Sequence, residues 1–340
     1  MFRFFFFIIF FLVNNNAEGN PDNYSEALEK SLLFFPHVVK IVLLSHGDLT
    51  GGCNDAGENV KFNFPTAFTA TMFSGSTVEY GWGMGSQIQE AQVGIRWATD
   101  YLLKGATATP PARLYVGAGD PNVDHKCWER PEDMDAVRTV YWVSHDKPGS
   151  EVAGEIAAAL TAASIVFHRA DPAYSRIILR TAKKVFKFAL KYQGSYNSSL
   201  GSAVCPSYCS YNGCKDELLR GAAWLFRTPN SIYYNKLIKN LGADDQLEPD
   251  IFSWDNKYAG KTIKLARRAL LNHDENFDQY RQEAENFVCK ILPNSPNSTT
   301  QYTKGGGNIY DKKIGANIKL PQSNLQYAGS TIQQNYLTIL

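Results

Sequence analysis

The chain is 340 residues long and 44% hydrophobic, with 34 Lys and Arg against 33 Asp and Glu, a net charge of +1. Such a balance excludes binding driven by bulk positive charge, so neither nucleic acid nor an anionic membrane is expected as a partner. The apolar content is ample for a sizeable core, and the length admits two domains or one large one. Aromatic residues make up 13%, a supply of flat faces that suits sugar stacking and an ordinary aromatic core alike.

At the start, Arg3 precedes an unbroken apolar run from Phe4 to Val13, with the small residue Ala17 soon after. Ten apolar residues are too few to span a bilayer, so residues 1–19 read as a secretory signal peptide. A secreted, extracellular chain is expected, residues 20–340, with no membrane attachment after cleavage. Sequons at Asn23, Asn197 and Asn297 fit export. The six cysteines, at 53, 127, 205, 209, 214 and 289, then have fifteen possible disulfide connectivities. Cys205, Cys209 and Cys214 lack paired C-x2-C spacing and a nearby His, which argues against zinc.

Residues 23–35 read as an opening helix, and the apolar run that follows, 36–45, reads more like a strand. Next comes a turn-rich stretch, 51–62, and then helices are expected over 64–81 and 86–104. In the second of these, Ile88, Ala91, Ile95, Ala98 and Leu102 recur at spacings of three and four. Residues 117–138 look like an acidic and aromatic loop. Helices follow over 151–169, 174–192, 216–227, 231–241, 260–272 and 276–291, with one more possible over 323–340. Within 174–192, Ile178, Ala182, Val185 and Ala189 share a face. About ten helices in consecutive pairs, with little strand signal after residue 120, imply a helical solenoid or a closed ring of hairpins. No tetratricopeptide or ankyrin period is found, and the long aromatic loops favour a ring with a cleft across one mouth. No linker stands out, so one domain is expected.

The turn Gly51-Gly-Cys-Asn-Asp-Ala-Gly-Glu-Asn-Val-Lys-Phe62 holds two acids three residues apart, Asp55 and Glu58. Acids on a glycine-rich turn can orient a water and take its proton; they can equally cap the next helix. Three further loops accompany it: Gly119 to Met134, with His125 and Trp128; Cys205 to Leu219; and Phe252-Ser-Trp-Asp-Asn-Lys257. Together with the run Pro148 to Phe167, and with Gln301 to Gly307 and Ser323 to Tyr327, these segments resemble plant members of glycoside hydrolase family 9, the endo-β-1,4-glucanases or cellulases.

The resemblance implies an all-α (α/α)6 barrel and inverting hydrolysis of internal β-1,4-glucosidic bonds in cellulose and related cell-wall glucans. It makes Glu58 the base and Asp55 the residue that helps hold the water. Inversion requires a base and an acid roughly 6.5–9.5 Å apart, so that water fits between base and sugar. His125, Trp128, Tyr208 and Tyr211 would lie along the glucan cleft; from the residues alone, a structural His and a core Trp are the plainer readings. No cofactor is required for the reaction. Some members bind a structural calcium, whose matching positions are Asn212, the Gly213 carbonyl, Asp216, Glu217 and Asp255, although Asp216 and Glu217 would also complement a helix dipole. A monomer is expected.

Several positions depart from the family pattern. Glu58 stands for an Asp, Cys53 and Asn54 for an aromatic pair, Cys214 for a Tyr and Arg220 for a Trp. A base misplaced by about 1 Å can lose on the order of a hundredfold in rate. The chain ends at Leu340, without counterparts of the family's His-Arg substrate motif and general-acid Glu. The expectation is therefore a barrel lacking its last helices, from a truncated or degenerate gene product or an incomplete gene model. On this reading the alternatives to hydrolysis are a catalytically silent glucan-binding protein and a remnant that does not fold.

Overall fold

The computed structural model describes residues 43–44, 47–55, 58–107, 113–126, 129–130, 133–229, 231–242, 252–272 and 277–291. The signal peptide, the helix over 23–35, Trp128, the sequons at Asn23 and Asn297 and the segments after residue 291 lie outside them.

Helices α1 (Asn63–Tyr80) and α2 (Ile88–Thr107) are joined by two single turns of 3₁₀ helix. The spacing of apolar residues in α2 has the consequence expected of it: Ala91, Ile95, Ala98 and Leu102 are all buried. Next come a short α3 (Pro121–Asp124), α4 (Ser150–Ala170) and α5 (Pro172–Lys191). The chain turns between α4 and α5 at Asp171, whose carboxylate accepts the Tyr174 amide at 3.0 Å while Pro172 opens the helix. Helices α6 (Asn197–Val204), α7 (Lys215–Leu225), α8 (Ser231–Gly242), α9 (Tyr258–Asn272) and α10 (Asp278–Ile291) complete the described chain.

Helix α4 is the centre of the packing. Its alanines and Gly154 leave a thin rod that α1, α2, α5 and α7 approach from different sides. A Cβ at Gly154 would come within 3.1 Å of the Glu217 backbone in α7, so any larger residue would push the two helices slightly apart at this crossing. Among the described residues α4 is the one helix long and apolar enough to cross a membrane, but here it is buried by its neighbours. Consecutive helices pack in pairs, α1 with α2, α4 with α5 and α9 with α10, in the manner of an (α/α)6 barrel.

Among the described residues, the expected loop over 117–138 is met apart from its first two residues and α3, whereas the reading of little strand signal after residue 120 is corrected by a small sheet. Strands β1 (Leu43–Leu44) and β2 (Gly47–Asp48) form a separate antiparallel pair. Strands β3 (Lys61–Phe62), β4 (Arg113–Ala118) and β5 (Val140–Ser144) then form an antiparallel sheet in that order, with Lys61 opposite Ala118 and Arg113 opposite Ser144. Two residues of β3 are too few to show a period of two, and β5 is half-buried along most of its length, so the alternation that marks a strand is absent.

The core also contains charge. Lys257, wholly buried, places its ammonium 2.6 Å from Glu217 and 3.9 Å from Glu155. Arg220 lies 3.5 Å from Glu155 and stacks over Phe68 and Phe252. Thr71 donates a further hydrogen bond to Glu155 at 2.8 Å. Burial pushes the Lys257 ammonium down, but Glu217, Glu155 and Asp216 outweigh it and hold the group charged.

Candidate functional site

Left-handed backbone at Gly51 (φ +91°) and Gly52 (φ +69°) starts the acidic turn. Its carbonyls are tied down from α2 and β3: the Trp97 indole donates to Gly52 at 2.9 Å, Lys104 to Thr50 at 3.1 Å, and Lys61 to Gly51. A Cβ at Gly52 would meet the Tyr101 ring at 2.5 Å. Gly52→Ala is therefore expected to lose about 1–3 kcal/mol of stability, read as a lowered thermal midpoint.

Within the turn, the Asp55 amide donates to Val60 at 2.9 Å and the Glu58 amide to Asp55 at 2.6 Å. The Asp120 carboxylate caps α3 by accepting the Asn122 amide at 2.9 Å, and Pro121 fixes the helix's first residue. This short helix brings Asp124 and His125 to the turn. Both Asp124 oxygens accept the Asn59 amide, at 3.2 and 3.1 Å, while Arg138 donates to the Asn59 carbonyl. Beside them, His125 Nε2 lies 2.7 Å from Glu58 Oε2 at the half-exposed rim.

The other acid faces inward. Asp55 is 8% exposed and accepts a hydrogen bond from the Tyr208 hydroxyl at 2.8 Å. The Tyr208 ring sits between Phe62 (4.9 Å) and Trp254 (5.0 Å). A Cys205–Cys209 disulfide closes the loop that carries it. Cys53, Cys214 and Cys289 are free thiols. Asn197 anchors the same loop, its amide donating to the Ser210 carbonyl at 2.8 Å and accepting the Ser210 amide at 3.0 Å. In the folded chain this part-exposed side chain holds the loop through its oxygen and one of its two amide hydrogens.

Burial pushes the Asp55 carboxyl up to about 6, raised further by the nearby Glu58 charge and opposed by the Tyr208 hydrogen bond and by His125. Burial and the Asp55 charge hold the Tyr208 phenol well above its ordinary value, so it stays a donor. The two acids thus differ in kind: one is buried and bridged to a tyrosine, the other half-exposed against an imidazole. A water between them would find one group to orient it and one to take its proton.

The sequence-derived residues divide accordingly. Asp55, Glu58, His125 and Tyr208 come together. Tyr211 is 65% exposed on the neighbouring loop, its amide donating to Asp255 at 2.9 Å and its hydroxyl to Pro206 at 3.2 Å. Sequence reasoning missed Asp124, Arg138 and Trp254. Only Asp124 left a local signal, as the last residue of a helix opened by Asp120-Pro121.

The calcium positions lie around the start of α7. Asp216 accepts the Lys257 amide at 2.8 Å, Asp255 accepts the Asn212 side-chain amide at 2.8 Å, and the Gly213 carbonyl accepts the Ser210 hydroxyl at 2.7 Å. One oxygen of Asp216 and one of Glu217 are buried without a hydrogen bond. Burial, and for Glu217 the Asp216 charge beside it, push both carboxyls up. Hard oxygen donors left unsatisfied in this way fit calcium by type.

The model of Glycosyl hydrolase family 9 matches residues 39–335. Endoglucanase 9 of Arabidopsis thaliana is 59% identical over 334 residues, 93% of this chain. Endoglucanase 3 of the same plant is 60% identical over 333 residues, also 93% of this chain. The chain spans 66% of the length of each of these two relatives. Among solved structures, the endoglucanase of the termite Nasutitermes takasagoensis superposes with a TM-score of 0.77 at 31% identity, covering 93% of this chain and 73% of that one. Endoglucanase CelQ of Clostridium thermocellum, complexed with cellotriose, gives a TM-score of 0.69 at 25% identity, covering 92% and 56%.

Proposed function

The chain belongs to glycosyl hydrolase family 9, and on that premise we propose that it hydrolyses internal β-1,4-glucosidic bonds of cellulose and related glucans with inversion. The observation that carries this reading is the acid corner, with Asp55 bound by Tyr208 and Glu58 by His125. Water held by Asp55 attacks the anomeric carbon and gives a proton to the Glu58 carboxylate. The bond to the leaving sugar breaks, and the departing oxygen needs a proton from a carboxylic acid on the opposite face, a role that none of these residues fills. His125 and the exposed Tyr211 contact the glucan, Tyr211 by stacking, and Trp128 joins them. A cell-wall glucan as substrate fits a chain that acts outside the cell, and on this reading it acts as a monomer. A calcium held by Asp216, Glu217 and Asp255, with Asn212 and the Gly213 carbonyl, would supply structural charge away from the reacting atoms.

Two substrates test the reading. Release of reducing ends from carboxymethylcellulose reports the whole reaction. A dinitrophenyl cellobioside, whose leaving group departs without protonation, reports the water-activating half alone. Turnover of the aryl glycoside by the purified chain is expected. Cello-oligosaccharide binding with no turnover of either substrate would replace this reading with glucan binding alone.

The acid limb of the rate follows Asp55. With its carboxyl at about 6, activity falls as pH drops through that value and the water loses the charged oxygen that orients it. Tyr208→Phe removes a hydrogen bond that favours the ionised form, so the limb moves to higher pH. A pH–rate profile of the two proteins on the aryl glycoside checks the direction.

A further inference from the structure

We propose that Glu58, Asp124 and His125 form a binding site for one zinc-like divalent cation, and that the bound ion switches the acid corner off. One carboxylate oxygen from each acid and one imidazole nitrogen lie within 4.8 Å of one another. Imidazole nitrogen and carboxylate oxygen are both donors that zinc accepts, and three protein donors would leave a fourth position open. Tetrahedral binding requires donors roughly 3.4 Å apart, so the cluster needs adjustment rather than rebuilding.

The parts able to adjust are the right ones. Asp124 is fixed, 5% exposed, with the Asn59 amide on both oxygens, and each oxygen keeps a lone pair. Glu58 and His125 sit at the rim, with side chains 24% and 36% exposed, and can rotate apart from their 2.7 Å contact to admit an ion. The positive group facing the cluster is Arg138, which interacts with Asp124. Arg138 is committed to the Asn59 carbonyl, so it tempers the site without filling it. The reach of Glu58 is what makes the triad: an Asp at this position would draw its carboxylate back by one carbon–carbon bond.

Binding needs no catalysis, whereas its effect on the rate rests on the hydrolase reading above; the two fail separately. Zinc chloride is titrated calorimetrically into the metal-free chain, His125→Gln and Glu58→Asp, with thermal midpoints checking that each variant folds. One site per chain is expected, weakened at least tenfold in His125→Gln and several-fold in Glu58→Asp. Cello-oligosaccharide should weaken zinc binding by competing for the same rim. Undiminished zinc binding in a folded His125→Gln, as at the free thiols of Cys53, Cys214 or Cys289, overturns the proposal, and so does the absence of any stoichiometric binding.

Discussion

Glu58→Gln is expected to lower hydrolysis of the aryl cellobioside by about 10²–10⁴-fold, the range a positioned general base contributes. The amide keeps the size of the side chain and can still meet His125, but it cannot take a proton from water. Glu58 lies at a half-exposed rim, so stability should stay within about 0.5 kcal/mol. Loss of rate with an unchanged melt separates a chemical role from a structural one. Were the bland alternative true, with Glu58 serving only to shape the turn, the rate would hardly move. The backbone bonds that close the turn, from Asp55 to Val60 and from Glu58 to Asp55, survive the substitution.

Lys257→Met is expected to lose about 3–5 kcal/mol of stability, because removing one partner of a buried pair strands the other. The lost ammonium leaves the Glu217 oxygen at 2.6 Å and that of Glu155 at 3.9 Å without their cation. Arg220 remains 3.5 Å from Glu155 and acts on Glu217 without a direct ion pair to it. Glu217→Gln added to Lys257→Met should restore part of the loss by removing a stranded charge, and denaturant unfolding of the three proteins measures it. A chain in which Lys257→Met unfolds at the same denaturant concentration as the parent would show that the charge cluster is not holding α4, α7 and α9 together.

How far the sequence was legible depended on the distance over which each signal acts. Helix α5 was plain because Ile178, Ala182, Val185 and Ala189 repeat at helical spacing, and all four are buried. Strands β3 to β5 were not, because their pairing is long-range and their faces do not alternate cleanly. The acid corner shows the same division. Asp55 and Glu58 announce themselves within one turn, and His125 was assigned through the family resemblance. The amide that pins Asp124 lies 65 positions away, and the hydroxyl that holds Asp55 lies 153 positions away. No local pattern carries such pairings. Arg220 was visible as a departure from the family's Trp, yet its meaning needed Glu155, Phe68 and Phe252 in three dimensions.

The stereochemistry of the first product tests the water-activating corner most directly. Proton NMR of cello-oligosaccharide hydrolysis, recorded before mutarotation, should show the α-anomer of the new reducing end appearing first, because water enters opposite the leaving oxygen. Early accumulation of the β-anomer would contradict the account, since it would mean that a protein group attacks before water does.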